Sequence, residues 1–172
     1  YILPNEITLK RLKDNDLNFM LIYDLLECFH IEGWEKCKKI NNVFKKCKNL
    51  YPPYNYQRLI YDKCLYYKHL EKNDIQIVPT YCIRKNKWDM YKNKTKYAEK
   101  ILEKIKNNNW KKYIAKPIFG QESKDFKKFN TMKKLPLVAY LTKNLKKYPG
   151  VCIQEYIEGF DKENPEIRMY FV

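Results

Sequence analysis

Lys116 and the residues that follow it are where chemistry is easiest to place in this sequence. The stretch "KYIAKPIFGQESKDF" (Lys112 to Phe126) carries a lysine at the end of an apolar, strand-like run, then Pro117, then a polar loop opening on Gly120, one of only four glycines. A lysine projecting from an apolar wall is a compact cation with three donors. A loop of Gly120, Gln121, Glu122 and Ser123 can turn backbone N–H groups toward an anion such as phosphate. The same residues also suit an ordinary hairpin in a basic protein, and the stretch alone does not decide between the two. Lys63, about one helical turn on from Ile60, offers a second cation; otherwise it is one more surface lysine. His30 and His69 stand alone, without ligand spacing. The six cysteines (Cys28, Cys37, Cys47, Cys64, Cys82, Cys152) contain no Cys-x-x-Cys pair and sit near no histidine cluster, so neither a zinc site nor a redox motif is legible. Reduced, buried cysteines in a cytoplasmic protein are the expectation.

The elements that must position these residues follow from periodicity and punctuation. At 172 residues the chain is one typical domain or two small ones, long enough to bury a core. "ITLKRL" alternates like a short strand, and Asp14 to Asp16 are cap candidates for a helix with Leu17, Leu21, Leu25 and Phe29 inward. "GWEKCKKINNVFKKCKNLYPPY" is ambiguous until "YPPY" breaks it. "NYQRLIYDKCLYYKHLEKND" predicts one helix with Ile60, Cys64, Tyr67 and Leu70 on a single stripe. "IQIVPTYCI" (Ile75 to Ile83) predicts two extended pieces meeting at Pro79-Thr80. A helix near Lys96 to Asn107 turns Tyr97, Ile101, Leu102 and Ile105 inward. Then come the strand "KYIAKPIF", the loop "GQESKD", a return strand "FKKF", and a helix entered through Pro136 and closed by Pro149-Gly150. "VCIQEYIEGF" and "PEIRMYFV" read as strands joined by "DKEN". This order is an α/β mixture with antiparallel hairpins late in the chain.

Composition narrows the partners less than it first suggests. The formal net charge of +15, from 35 Lys+Arg against 20 Asp+Glu, admits nucleic acid, an anionic membrane surface, nucleotides or an acidic acceptor. The lysines are spread along solvated helix faces, and no specific nucleic-acid motif accompanies them. The longest apolar run, around "FMLIYDLLECF", contains Asp24 and Glu27 and is far short of a membrane span; no signal peptide is visible. "NKT" at Asn93 is a glycosylation sequon by pattern alone. The chain opens at Tyr1 and stops at Val172 inside an apolar run that reads as mid-strand, so a piece of something longer is expected.

In order along the chain, these segments resemble the front half of an ATP-grasp enzyme, the superfamily that includes D-alanine-D-alanine ligase, glutathione synthetase and the RimK-type ligases. "YDKCLYYKHL" followed by "IQIVPTY" is similar to the family's helix leading into an apolar strand that ends in Pro-Thr. "YIAKPIFGQESKDF" is similar to its lysine-proline strand and phosphate loop, "GVCIQEYIEGF" to its hinge strand, and "PEIRMYFV" to the strand returning from it. Family loops usually carry more Gly and Ser, and Glu122 puts a negative charge near the phosphates.

The resemblance implies a Rossmann-like preceding subdomain (1–74) followed by a mixed or antiparallel nucleotide-binding subdomain (75–172), incomplete at its C-terminus. It implies Lys63 and Lys116 on the phosphates of ATP, with Gly120, Gln121 and Ser123 folding over them. It implies Gln154 and the backbone of Glu155 and Ile157 on adenine, Glu166 on the ribose, and Arg168 in a catalytic role toward phosphate or acyl substrate. A salt-bridged Glu-x-Arg strand face is the plainer reading of Glu166 and Arg168. The cofactors implied are ATP and Mg²⁺, with the metal ligands on strands past Val172. The activity implied is an ATP-dependent carboxylate–amine (or carboxylate–thiol) ligase acting through an acyl-phosphate; the positive charge, separately, favours an acidic peptide or phosphorylated small molecule as acceptor. Two rivals are a family kinase phosphorylating an inositol phosphate or similar hydroxyl, and a catalytically inactive nucleotide-binding or interaction module.

Overall fold

Four antiparallel strands make the sheet on which the site rests. The computed structural model describes residues 2–20, 33–120 and 123–159. In chain order the described elements are α1 (Leu9–Leu12), β1 (Asn18–Phe19), α2 (Trp34–Lys46), β2 (Leu50–Tyr51), α3 (Tyr54–Tyr61), α4 (Lys63–Lys72), β3 (Thr80–Arg84), α5 (Lys85–Met90), α6 (Lys94–Asn107), β4 (Tyr113–Pro117), β5 (Lys127–Phe129), α7 (Lys134–Lys147) and β6 (Gly150–Glu155). The sheet runs β3-β6-β4-β5 with every neighbour antiparallel, and β1 pairs with β2 in parallel. The architecture is thus a mixed α/β one with an antiparallel sheet.

Because side chains alternate across a strand, each strand sends one set of residues to the helices and the other to the opposite face. Ile83, Tyr113, Ala115, Phe129, Val151 and Ile153 join Trp88 of α5, Tyr97, Ala98, Ile101, Leu102 and Ile105 of α6, and Leu137, Tyr140, Leu141 and Leu145 of α7 in the main core. Tyr113 and Phe129 sit directly opposite in the β4–β5 register and stack with centroids 4.7 Å apart, a cross-strand aromatic pair that pins it. Gly150 is required where β6 begins. A Cβ there would lie 2.8 Å from the Ile83 carbonyl oxygen and 2.9 Å from Ile118 Cδ1, closer than packing allows. A second, smaller cluster of Leu12, Ile40, Phe44, Leu50 and Tyr61 gathers the N-terminal elements.

Several sequence expectations are corrected. "ITLKRL" is not a strand: Thr8 accepts a hydrogen bond from the Arg11 N–H and caps the one-turn helix α1. After Asp14 to Asp16 the chain enters β1, leaving Leu17 more than half exposed, while Leu21, Leu25 and Phe29 lie outside the described residues. The ambiguous stretch is helical over Trp34–Lys46, burying Cys37, Ile40 and Phe44. The single helix expected after "YPPY" is two, α3 and α4, broken at Asp62, and Ile60 points to solvent. Of the two extended pieces around Pro79, only Thr80–Arg84 is a strand. Cys64 and Cys82 form a disulfide rather than staying reduced. The segment "PEIRMYFV" lies outside the described residues. Among those residues, no helix is long and apolar enough to cross a membrane.

Candidate functional site

The face of the sheet turned away from the main core carries Thr80, Cys82, Lys116, Cys152, Gln154, Ile114 and Lys128. Register aligns Thr80, Gln154, Ile114 and Lys128 in one row, and Cys82, Cys152 and Lys116 in the next. Helix α4 covers part of this face, and between them lies a cleft of about 830 Å³.

Asp62 sets the position of α4. Its buried carboxylate accepts from the N–H groups of Cys64 and Leu65 and so caps the helix, while Arg84 of β3 clamps it through both guanidinium nitrogens. Lys63, next in sequence, is therefore held at the mouth of the cleft, where its Nζ donates to the Gly120 carbonyl and its own N–H donates to the Ile118 carbonyl at 3.2 Å. Lys116 reaches into the cleft from β4. Its Nζ donates to the Tyr67 hydroxyl of α4 at 3.0 Å and lies 5.5 Å from the Tyr67 ring centroid. Two lysines thus enter one cleft from facing walls, Lys63 beside Gly120 and Lys116 beside Tyr67.

Around Gly120 itself a Cβ would make only ordinary contacts, with Pro117 at 3.7 Å and Lys124 at 3.9 Å. Among the described residues, no contact demands glycine there. Ser123 and Asp125 both adopt positive φ, 56° each. The far end of the loop is anchored by Asp125, which accepts from Tyr148 Oη at 2.7 Å and Lys147 Nζ at 3.1 Å, while its carbonyl accepts from Tyr140 Oη at 2.6 Å. Burial works against ionisation of Asp125, but the hydrogen bonds from Tyr148 and Lys147 outweigh it and hold the carboxyl below its ordinary value.

The other end of the cleft is built for acceptors. Thr80 Oγ1 spends its one hydrogen on the Val78 carbonyl at 2.7 Å, so it can only accept from Gln154 Nε2, also at 2.7 Å. That fixes the carboxamide and commits Gln154 Oε1 to the role of acceptor. Next along β6, the Glu155 N–H donates to the Pro79 carbonyl at 3.4 Å. Proline has no N–H to return, so Pro79 cannot donate to the Glu155 carbonyl. From there the chain departs the sheet, with Tyr156 held by the Lys112 carbonyl at 3.1 Å and Ile157 on the cleft rim. Gln154 pairs with Ile114, two residues from Lys116 on β4, so the acceptors and the cation stand about 7 Å apart along the strand. Ile77, Val78 and Ile114 supply the apolar walls between.

Among solved structures, the chain matches D-cycloserine synthetase DcsG with TM-score 0.60 and 18% identity over 76% of its length. It matches D-alanyl-alanine synthetase A from Vibrio cholerae O1 biovar eltor with TM-score 0.51 and 12% identity over 69%. Both are ATP-grasp enzymes. The fold is that of the ATP-grasp enzymes. The chain spans 42% of the first enzyme's length and 34% of the second's. No protein-family model and no curated protein matches the sequence.

Seven of the positions that the ATP-grasp resemblance implies, Lys63, Lys116, Gly120, Ser123, Gln154, Glu155 and Ile157, line this one cleft. Gln121, Glu166 and Arg168 lie outside the described residues. Sequence reasoning missed Tyr67, Thr80, Lys124 and Lys128, which also belong to the cleft or its supports. The signal for Thr80 was the Pro-Thr pair ahead of a strand, which places a hydroxyl beside a proline that cannot complete the ladder. Tyr67 shows in the sequence only as one position of the stripe with Ile60, Cys64 and Leu70.

Proposed function

We propose that this cleft is the nucleotide site of an ATP-dependent ligase of the carboxylate–amine or carboxylate–thiol kind. What carries the reading is the two-ended chemistry of one cleft: two lysines from facing walls at one end, and a fixed amide oxygen beside a backbone carbonyl that faces a proline at the other. Adenine offers an exocyclic amino group, which matches the acceptors Gln154 Oε1 and Glu155 C=O, and a ring nitrogen for the Ile157 N–H. The α- and β-phosphates extend toward Lys116 and Lys63, and the loop from Gly120 to Asp125 closes over the distal phosphate. The bare backbone of Gly120, without a Cβ, suits close approach of phosphate.

A divalent ion needs several oxygen ligands. Among the described residues lining the cleft, Glu155 is the lone carboxylate, so these residues do not make a Mg²⁺ site. In the proposed reaction a substrate carboxylate oxygen attacks the γ-phosphorus and ADP leaves, giving an acyl-phosphate. An amine or thiol then attacks the acyl carbon and phosphate departs. This chain's part is to bind and orient the nucleotide, with Lys116 and Lys63 countering charge on the phosphates. Lys124 and Lys128 add positive charge to the same cleft, which favours an acidic or phosphate-bearing acceptor.

The base-reading end gives a clean test. Guanine presents a carbonyl oxygen where adenine presents the amino group, opposing two acceptors. In competition against a fluorescent ATP analogue on the full-length protein, GTP should bind at least tenfold more weakly than ATP. Equal affinity for the two would remove the assignment of Gln154 and Glu155.

A further inference from the structure

Behind the cation end of the cleft, three cysteines from three separate segments converge. Cys64 of α4, Cys82 of β3 and Cys152 of β6 place their sulfurs within 4.8 Å of one another, with Cys152 Sγ 3.4 Å from Cys64 Sγ and 3.9 Å from Cys82 Sγ. Two sulfurs held by one zinc-class ion at ~2.3 Å stand roughly 3.8 to 4.0 Å apart, so two edges of this triangle already have nearly that length. The third edge is the Cys64–Cys82 disulfide. Cys64 and Cys152 are buried and Cys82 is exposed, so the triangle has dry walls and one open side. Three cations, Lys116, Lys63 and Arg84, act on the Cys152 sulfur against one carboxylate, Asp62. That surplus suits a complex of three thiolates and one divalent ion, which carries a single negative charge.

We propose that Cys64, Cys82 and Cys152 form, when the Cys64–Cys82 bond is reduced, a three-thiolate site for a thiophilic divalent metal ion of the zinc and cadmium class. A thiol or phosphine reductant supplies two electrons, and with two protons the S–S bond becomes two S–H groups. The ion then replaces the protons of all three thiols, releasing three to solvent, and keeps a fourth position open toward the exposed side for water. An all-sulfur donor set selects soft and borderline ions and discriminates against Mg²⁺. The site is therefore separate from any metal that accompanies nucleotide, and it does not depend on the ligase reading. Sequence inspection does not find it because its ligands are 18 and 70 residues apart and meet only through sheet register and the docking of α4.

The test is an anaerobic titration of the full chain, reduced with a phosphine that is then removed, with Cd²⁺ alone, following sulfur-to-cadmium charge-transfer absorbance. The absorbance should rise to a break at one equivalent. The break should be lost in Cys64→Ser, Cys82→Ser and Cys152→Ser, kept in Cys37→Ser and Cys47→Ser, and missing from the oxidised chain. Because a core serine can unfold the protein, alkylation of the wild type mapped by mass spectrometry is the second arm. Cd²⁺ should abolish labelling of Cys82 in the reduced chain and leave Cys47 labelling unchanged. A one-equivalent break that survives in folded Cys152→Ser or in the oxidised chain would overturn the proposal, as would Cys82 labelling that ignores Cd²⁺.

Discussion

At the scale of single residues, Lys116 and Gln154 show how one strand face is divided between opposite tasks. Lys116 donates to Tyr67, and Gln154 is turned by Thr80 so that it can only accept. Asp125 belongs to neither task, but it fixes the loop between them and yields a prediction in pH. Its folded value is depressed, so its contribution to stability is fully present above its ordinary value near 3.8 and is lost as pH falls through the lower folded value. Asp125→Asn should therefore lower the thermal midpoint at pH 6, with the difference from wild type shrinking toward pH 2; a difference that stays constant with pH would contradict the ionised role. Lys116 was legible because a lysine between apolar neighbours and a proline is conspicuous. The role of Thr80 was not, since it depends on which of two partners takes the hydroxyl hydrogen, and that follows only from the folded arrangement of Val78, Thr80 and Gln154. Cys152 is similar: burial pushes its thiol up to about 12, and nothing local to "GVCIQE" signals this.

Among the elements, α4 matters most because it forms the wall opposite β4 and its position rests on Asp62. Asp62→Ala removes the N-cap and leaves Arg84 without its partner. We expect a loss of about 2 to 4 kcal/mol in denaturant-derived stability, with Lys63 displaced and nucleotide affinity reduced in the same variant; unchanged stability would mean that the clamp does not hold the helix. The long helices α6 and α7 were legible because their apolar residues repeat every three or four positions. The break between α3 and α4 was not, because the same periodicity runs through Asp62, and an aspartate in mid-pattern looks like a solvent-facing residue. Elements of two to four residues, α1, β1 and β2, are too short to display any period, which is why "ITLKRL" reads as a strand in sequence although Leu9–Leu12 is helical.

For the whole molecule, the order of segments carried the fold: a helix, a strand opening on Pro-Thr, a lysine-proline hairpin and a hinge strand are arranged as the antiparallel sheet requires. The net charge of +15 said little about fold, but the structure places Lys63, Lys116, Lys124 and Lys128 around one cleft. If that field gathers the acceptor, ATP-dependent phosphate release by the full-length protein should be faster with acidic or phosphorylated acceptors than with neutral ones. That advantage should fade between ~50 and ~200 mM salt as the Debye length shrinks; rates that favour neutral acceptors and ignore salt would contradict it. The central claim, that the cleft binds ATP with its phosphates on Lys116, is tested most directly by calorimetric titration of the full-length protein with a non-hydrolysable ATP analogue and Mg²⁺. Lys116→Ala should weaken binding by ~1.5 to 3 kcal/mol through loss of a charge-assisted contact, and Lys63→Ala by less. Equal affinity of the wild type and Lys116→Ala would contradict the account.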